Sequence, residues 1–159
     1  MRVRQSASFG ISSLSVTPDE ITSRVQLVPD ETKAKGSRFA EPKPVPRFHL
    51  WRVRSGCPET VELSDHFAAL VARIEPFAPQ IRAFLDSSDA DGQFSIVRKF
   101  EAGPELDTIV DVGRVGPGYL ERIRGQHPLL GFHLDQHILD LANGLGVGFD
   151  FDEYGDEYE

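Results

Sequence analysis

Ala7, Phe9 and Ile11 alternate with Ser8, Gly10 and Ser12, the two-residue period of a strand with one buried face. A helix start follows directly. Thr17 stands where a side-chain cap belongs, and Pro18 takes the first helical position, where its missing N–H costs nothing. Glu20 completes a T-x-x-E capping box, and Val16 with Ile21 has the spacing of a hydrophobic staple. Ile21, Val25 and Val28 then form one apolar stripe, and Pro29 is expected to end the helix.

From Asp30 to Pro46 the chain is polar and holds Gly36, Pro42, Pro44 and Pro46, so residues 30–46 read as a long loop. Arg47 to Arg54 is expected to be a strand carrying the single tryptophan, Trp51, with an imperfect alternation that allows a bulge or an edge position. Leu63-Ser64-Asp65 opens the longest helix, and Phe67, Leu70, Val71 and Ile74 supply its core-facing stripe. Pro76 and Pro79 break it, and Ile81 to Leu85 resumes as a second short piece. After a turn at Ser87 to Gly92, Phe94, Ile96 and Phe100 alternate as a further strand. Residues 102–128 read as an insertion. Leu130-Phe132-Leu134 then reads as a strand, Asp135 to Asn143 as a helix stopped by Gly144 or Gly146, and Val147, Phe149 and Phe151 as a last strand.

The strand, cap and helix at the start are thus repeated at the end. That repetition predicts an α+β fold of ferredoxin-like duplicated strand-helix units, with helices packed on one face of a largely antiparallel sheet. At 159 residues the expectation is a single domain, 1–159, with an acidic tail over 152–159. A lone Cys57 fits a reducing compartment, and the N-terminus shows no signal peptide, nor does any stretch suit a membrane span. Cytoplasmic residence is the expectation.

The net charge of −8 is split, with +5 over residues 1–55 and −13 over residues 56–159. An isoelectric point near 5.1 argues against nucleic acid, because most of the surface would repel a polyanion. Lys33, Lys35, Arg38, Lys43, Arg47, Arg52 and Arg54, around Gly36 and Trp51, could hold an anionic small molecule or line a partner surface. Asp150 and Asp152 stand on the opposite, acidic part of the chain. His133 and His137, with Asp135 and Asp140 nearby, have a metal-like spacing, but the first falls in a strand and the second in a helix, with no third ligand. Asp150-Phe151-Asp152-Glu153-Tyr154-Gly155 imitates the opening of a calcium loop, yet Tyr154 stands where an oxygen ligand belongs. Cys57 lies in a turn with no histidine at a fixed offset, and no nucleotide-binding, hydrolase or zinc-protease signature occurs. No catalytic, metal or cofactor residues are expected, although His49 or His66 with nearby acids would serve an enzyme.

Thr17-Pro18-Asp19-Glu20-Ile21-Thr22, Pro29-Asp30, Lys35-Gly36, Trp51, and the later Leu141-Ala142, Leu145-Gly146 and Tyr154 stand in an order that resembles a bacterial family called domain of unknown function 4279. The resemblance covers about residues 7–101 and 129–154. It implies a small cytoplasmic bacterial protein and brings no activity or catalytic residue with it. The expected function is a non-catalytic binding protein that engages another protein through a sheet edge or acidic surface, possible examples being immunity proteins and antitoxins. The alternatives are a sensor domain binding an anionic small molecule through residues 33–54, and a small enzyme. The expected binding residues are Lys33, Lys35, Gly36, Arg38, Trp51, Arg52, Arg54, Asp150 and Asp152.

Overall fold

The structure, a computed structural model, describes residues 2–37, 45–101 and 132–155. Five strands form one sheet: β1 (Arg2–Ser13), β2 (Glu31–Lys33), β3 (His49–Arg54), β4 (Asp91–Glu101) and β5 (Gly148–Gly155), in the order β2-β3-β1-β4-β5. The four helices are α1 (Pro18–Val25), α2 (Leu63–Ile74), α3 (Ala78–Asp86) and α4 (Gln136–Leu145), with a single 3₁₀ turn at Glu75–Phe77 between α2 and α3. All strand pairs are antiparallel except β4 with β5, which is parallel. The fold is α+β with a mostly antiparallel sheet.

The period-two pattern decides which side of the sheet is dry. Val3, Ala7, Phe9 and Ile11 of β1, Trp51 and Val53 of β3, and Phe94 and Ile96 of β4 are buried. They share one core with Ile21 and Val25 of α1, Phe67, Leu70, Val71 and Ile74 of α2, Ile81 and Phe84 of α3, and Ile138, Leu141 and Leu145 of α4. Within it Phe9, Phe94 and Phe149 form a chain of rings, with centroids 5.1 Å and 5.3 Å apart. At roughly 25 cal/mol per Å² of apolar surface, this side holds most of the fold's hydrophobic stabilisation.

Both helix caps follow their sequence. The Thr17 hydroxyl accepts from the Glu20 N–H, and the Asp135 carboxylate accepts from the Ile138 N–H. Val16 and Ile21 are both buried, as a staple requires. Gly146 stops α4 in the left-handed region at φ 69°, where its lack of Cβ removes the penalty.

Several expectations are corrected. α1 ends at Val25, because Gln26 turns left-handed at φ 63° and its N–H returns to the Thr22 carbonyl. Val28 therefore leaves the apolar stripe and is 73% exposed. The loop 30–46 contains the short strand β2, whose Glu-Thr-Lys residues carry no alternation signal. β3 lies between β2 and β1 in continuous register, so it has neither a bulge nor an edge position. Phe132, His133 and Leu134 are in no strand, and they lead directly into the α4 cap. The ferredoxin-like duplication is therefore not shown by this arrangement. Lys43, Arg38, the insertion 102–128 and residues 156–159 of the acidic tail lie outside the described residues.

Candidate functional site

Among the described residues, the other face of the sheet is polar and open. Its floor is Ser6 and Ser8 of β1 with Gln93, Ser95, Val97 and Lys99 of β4, and the space above it is about 580 Å³. The same alternation that buries Phe9 and Ile11 turns these small residues outward, so β1 forms the bottom of a trough rather than a ridge. Arg52 and Arg54 of β3 stand on one side, and Asp150 and Asp152 of β5 on the other.

Strand register aligns these groups. Arg54 pairs with Ser8, Ser8 with Ser95, and Ser95 with Asp150, giving one straight row across four strands. The next row runs Glu31, Arg52, Gly10, Gln93. On the other side of the first row, Ser6 pairs with Val97, and Val97 with Asp152. Basic and acidic walls thus face each other over a floor of hydroxyls.

Glu31 organises the basic wall. Its carboxylate accepts from Arg52 at 3.3 Å and Arg54 at 2.8 Å, and pairs with Lys33 at 3.0 Å. Burial opposes its ionisation, but the hydrogen bonds from Arg54 and Lys33 and the charges of Arg52 and Lys33 prevail and hold its carboxyl at about 2. One carboxylate shared by three cations leaves the wall positive. Glu31 lies on the outer side of β3, so it draws the guanidinium groups away from the trough's midline. Arg52 Nε is buried without a hydrogen-bond partner among the described residues. Asp30 braces the wall from behind: it accepts from the Arg54 N–H at 2.7 Å and from Arg73 at 2.8 Å, and the Arg73 bonds lower its pKa.

The acidic wall is lightly tied. Gln93 Nε2 donates to Ser95 Oγ at 3.3 Å and to Asp150 Oδ2 at 3.4 Å. The Ser6 and Ser8 hydroxyls make no side-chain hydrogen bond among the described residues. At one end of the trough Arg4 is paired with Glu59 and Glu101.

The structure brings together Arg52, Arg54, Asp150 and Asp152, with Lys33 attached to them through Glu31. It separates the other residues picked from the sequence. Trp51 points to the opposite, core side: it is fully buried, and its Nε1 donates to Thr22 Oγ1 of α1 at 3.0 Å. Lys35 and Gly36 form a turn beyond the end of β1, where Lys35 Nζ reaches the Leu14 carbonyl and Gly36 has φ 73°. Ser6, Ser8, Ser95 and Gln93 were missed by sequence reasoning; the outward half of the β1 and β4 alternation was the available signal.

Ser55 and Cys57 line one end of the trough, and Ser55 Oγ lies 2.6 Å from His66 Nδ1. This pair does not serve the trough. Ser55 continues the core-facing series of Trp51 and Val53, and its hydroxyl is held by buried His66 on α2. It also accepts a long bond from the Cys57 N–H, at 3.4 Å, so it closes the turn after β3. Burial pushes the His66 pKa down, against the Asp65 carboxylate, the Pro58 carbonyl and the Glu59 carboxylate. His49 Nδ1 accepts from the Lys35 N–H, away from the trough.

His137 Nε2 lies 2.8 Å from Glu75 Oε1, and that carboxylate raises its pKa. His133 precedes α4 in irregular chain. Asp150 to Gly155 are a regular strand rather than a calcium loop. Among the described residues no group of three or more His, Cys, Asp or Glu side chains is placed to share a metal ion, and no helix is long and apolar enough to cross a membrane.

The model of the family described as domain of unknown function (DUF4279) matches residues 2–110, and the chain belongs to that family. The match takes in β1 through β4 with α1 to α3, while α4 and β5 lie beyond it. No curated protein and no solved structure matches the chain.

Proposed function

We propose that this DUF4279 member is a non-catalytic binding protein whose recognition surface is the polar face of its sheet. The observation that carries this reading is the row Arg54–Ser8–Ser95–Asp150, which sets a positive wall against a negative one over serine hydroxyls. A space of about 580 Å³ falls within the range of small-ligand sites, roughly 300–1,000 Å³. The Ser55–His66 pair, the one Ser–His contact among the described residues, is turned to the helix side. Of the basic residues expected at 33–54 to hold an anionic ligand, Arg52 and Arg54 supply the positive charge on this face.

The test is melting temperature across a panel of small anions, amines and zwitterions, because a ligand that binds only the folded chain raises it. Ser8→Tyr fills the floor of the trough and should abolish any shift. The reading fails if no compound shifts the wild type, or if the shift survives Ser8→Tyr.

A protein partner of the immunity or antitoxin kind is a second reading, supported by a separate surface. Phe132 and Phe151 stack at 5.1 Å while both remain exposed, beside Glu153 on the side of the outermost strand away from the trough. Apolar rings beside an acid suit a basic partner. Phe151→Ser should then weaken capture of a host protein that the wild type retains, and leave the trough's ligand response unchanged. The duplicated origin of the two ends likewise stands as a proposal, resting on the matching side-chain caps at Thr17 and Asp135.

A further inference from the structure

We infer that the occupant of the trough is a free short peptide of two or three residues, its carboxylate on the Arg52–Arg54 wall and its ammonium on the Asp150–Asp152 wall. The inference rests on the proposed binding role of this face and names the ligand.

Three properties of the trough lead there. The first is polarity: a simple anion would satisfy one wall and place its charge toward Asp150, whereas a ligand with two opposite ends satisfies both. Arg52 gives Nη1 to Glu31 and keeps further N–H donors on its part-exposed guanidinium. Arg54 gives one nitrogen to Glu31 and retains further N–H donors.

The second property is span. Arg54 and Asp150 stand on the first and last of four adjacent strands, so their Cα atoms are about 14 Å apart at roughly 4.8 Å per spacing. Side chains rise roughly perpendicular to a sheet, and Glu31 holds the two guanidinium groups outward, so the walls do not close over the floor. Allowing about 2.8 Å for a charge-assisted contact at each end leaves at least about 8 Å between the ligand's own charges. An extended peptide advances about 3.3–3.6 Å per residue, so two or three residues are the shortest that bridge the gap, and a single amino acid is excluded.

The third property is the floor. An aliphatic spacer of the same length would lie over Ser6 and Ser8 and offer their hydroxyls no partner. A peptide spacer offers an amide N–H and a carbonyl at each link, and hydroxyls can serve both as donors and as acceptors. Ser6, Ser8 and Ser95 are small enough to keep the floor low, so that a backbone can lie close.

The experiment is titration calorimetry of the full chain with glycine, Gly-Gly, Gly-Gly-Gly, N-acetyl-Gly-Gly and Gly-Gly-amide. Gly-Gly or Gly-Gly-Gly should bind, glycine should not, and blocking either terminus should weaken binding at least tenfold. Asp150→Asn with Asp152→Asn should remove the preference for a free amine, so that the free and acetylated peptides bind alike. Arg54→Gln should do the same for the free carboxylate. Circular dichroism of each variant establishes that it is folded. Equal binding of blocked and free peptides overturns the inference; so does absence of binding by every peptide. If monofunctional anions raise the melting temperature of the wild type but not of Ser8→Tyr, the binding role stands and the peptide assignment alone fails.

Discussion

Phe9 and Ser8 are neighbours in β1, yet Phe9 is completely buried beneath the helices while Ser8 lies on the trough floor between Arg54 and Ser95. The contrast extends along the strand. Inward positions are Val3, Gln5, Ala7, Phe9, Ile11 and Ser13; outward positions are Arg4, Ser6, Ser8, Gly10 and Ser12. An antiparallel sheet often has one face in the core and one in water. Here the dry face contains the large side chains, and the wet face is held by charge and hydrogen bonds that can change without emptying the core. Stability and the proposed recognition therefore draw on different residues of the same strands.

The largest test of that division is truncation on both sides of one strand. Phe9→Ala should lower unfolding free energy by about 3–5 kcal/mol in urea denaturation, as expected for removing a buried ring. Ser8→Ala should stay within about 0.5 kcal/mol. Comparable losses from the two would break the contrast.

Acid should next reveal the most structural part of the wet face. The Glu31 carboxyl titrates near 4.5 when unfolded and at about 2 when folded. Between those values the unfolded chain binds more protons, so stability present above pH 4.5 is lost as pH falls toward 2. The loss attributable to Glu31 is on the order of 3 kcal/mol at most. In Glu31→Gln that part of the pH dependence should vanish, and the variant should already be destabilised at pH 7. An unchanged acid profile would show that the three cations do not depend on this carboxylate.

His66 probes the dry side at milder pH. Its pKa is lowered by burial, so below about 6.5 the unfolded chain gains a proton that the folded chain does not, and stability falls with pH. His66→Gln should flatten the stability curve between pH 7 and 5. The smallest expected effect is Asp150→Asn, which should move stability by no more than about 0.5 kcal/mol and show itself only in binding. A larger destabilisation would make the acidic wall part of the scaffold.

Much of the dry face was legible in the chain. Alternation at Ala7, Phe9, Ile11, Phe94 and Ile96 and the 3, 4 spacing of Phe67, Leu70, Val71 and Ile74 report burial directly, because each is a local periodicity. Short or contrary elements were not. Glu31–Lys33 is too brief and polar to show a period, and Gln26 adopts a left-handed cap that no glycine announces. Buried Arg98 breaks the apolar series of β4; it pairs with Glu153 and lies over the rings of Phe100 and Phe132, at 5.0 Å and 5.2 Å. The trough was least legible of all. Arg54, Ser8, Ser95 and Asp150 are far apart in the chain, and they meet only through the registers of three strand pairs. Picking Arg52, Arg54, Asp150 and Asp152 from charge was possible, but setting them across from each other required the strand order.

The strand at the centre of the sheet is also the first one synthesised. Ser8 must wait for Arg54 and then for Ser95 to emerge before β1 has both neighbours. Such distant pairings carry a loop-closure penalty and slow folding, and a central strand without neighbours can pair with another nascent chain. The polar half of β1 bears on that interval. Arg4, Ser6, Ser8, Gly10 and Ser12 interrupt what would otherwise be a continuous apolar segment, lowering its tendency to self-associate on the ribosome. The residues that floor the trough in the finished protein thus also protect the chain while it is being made.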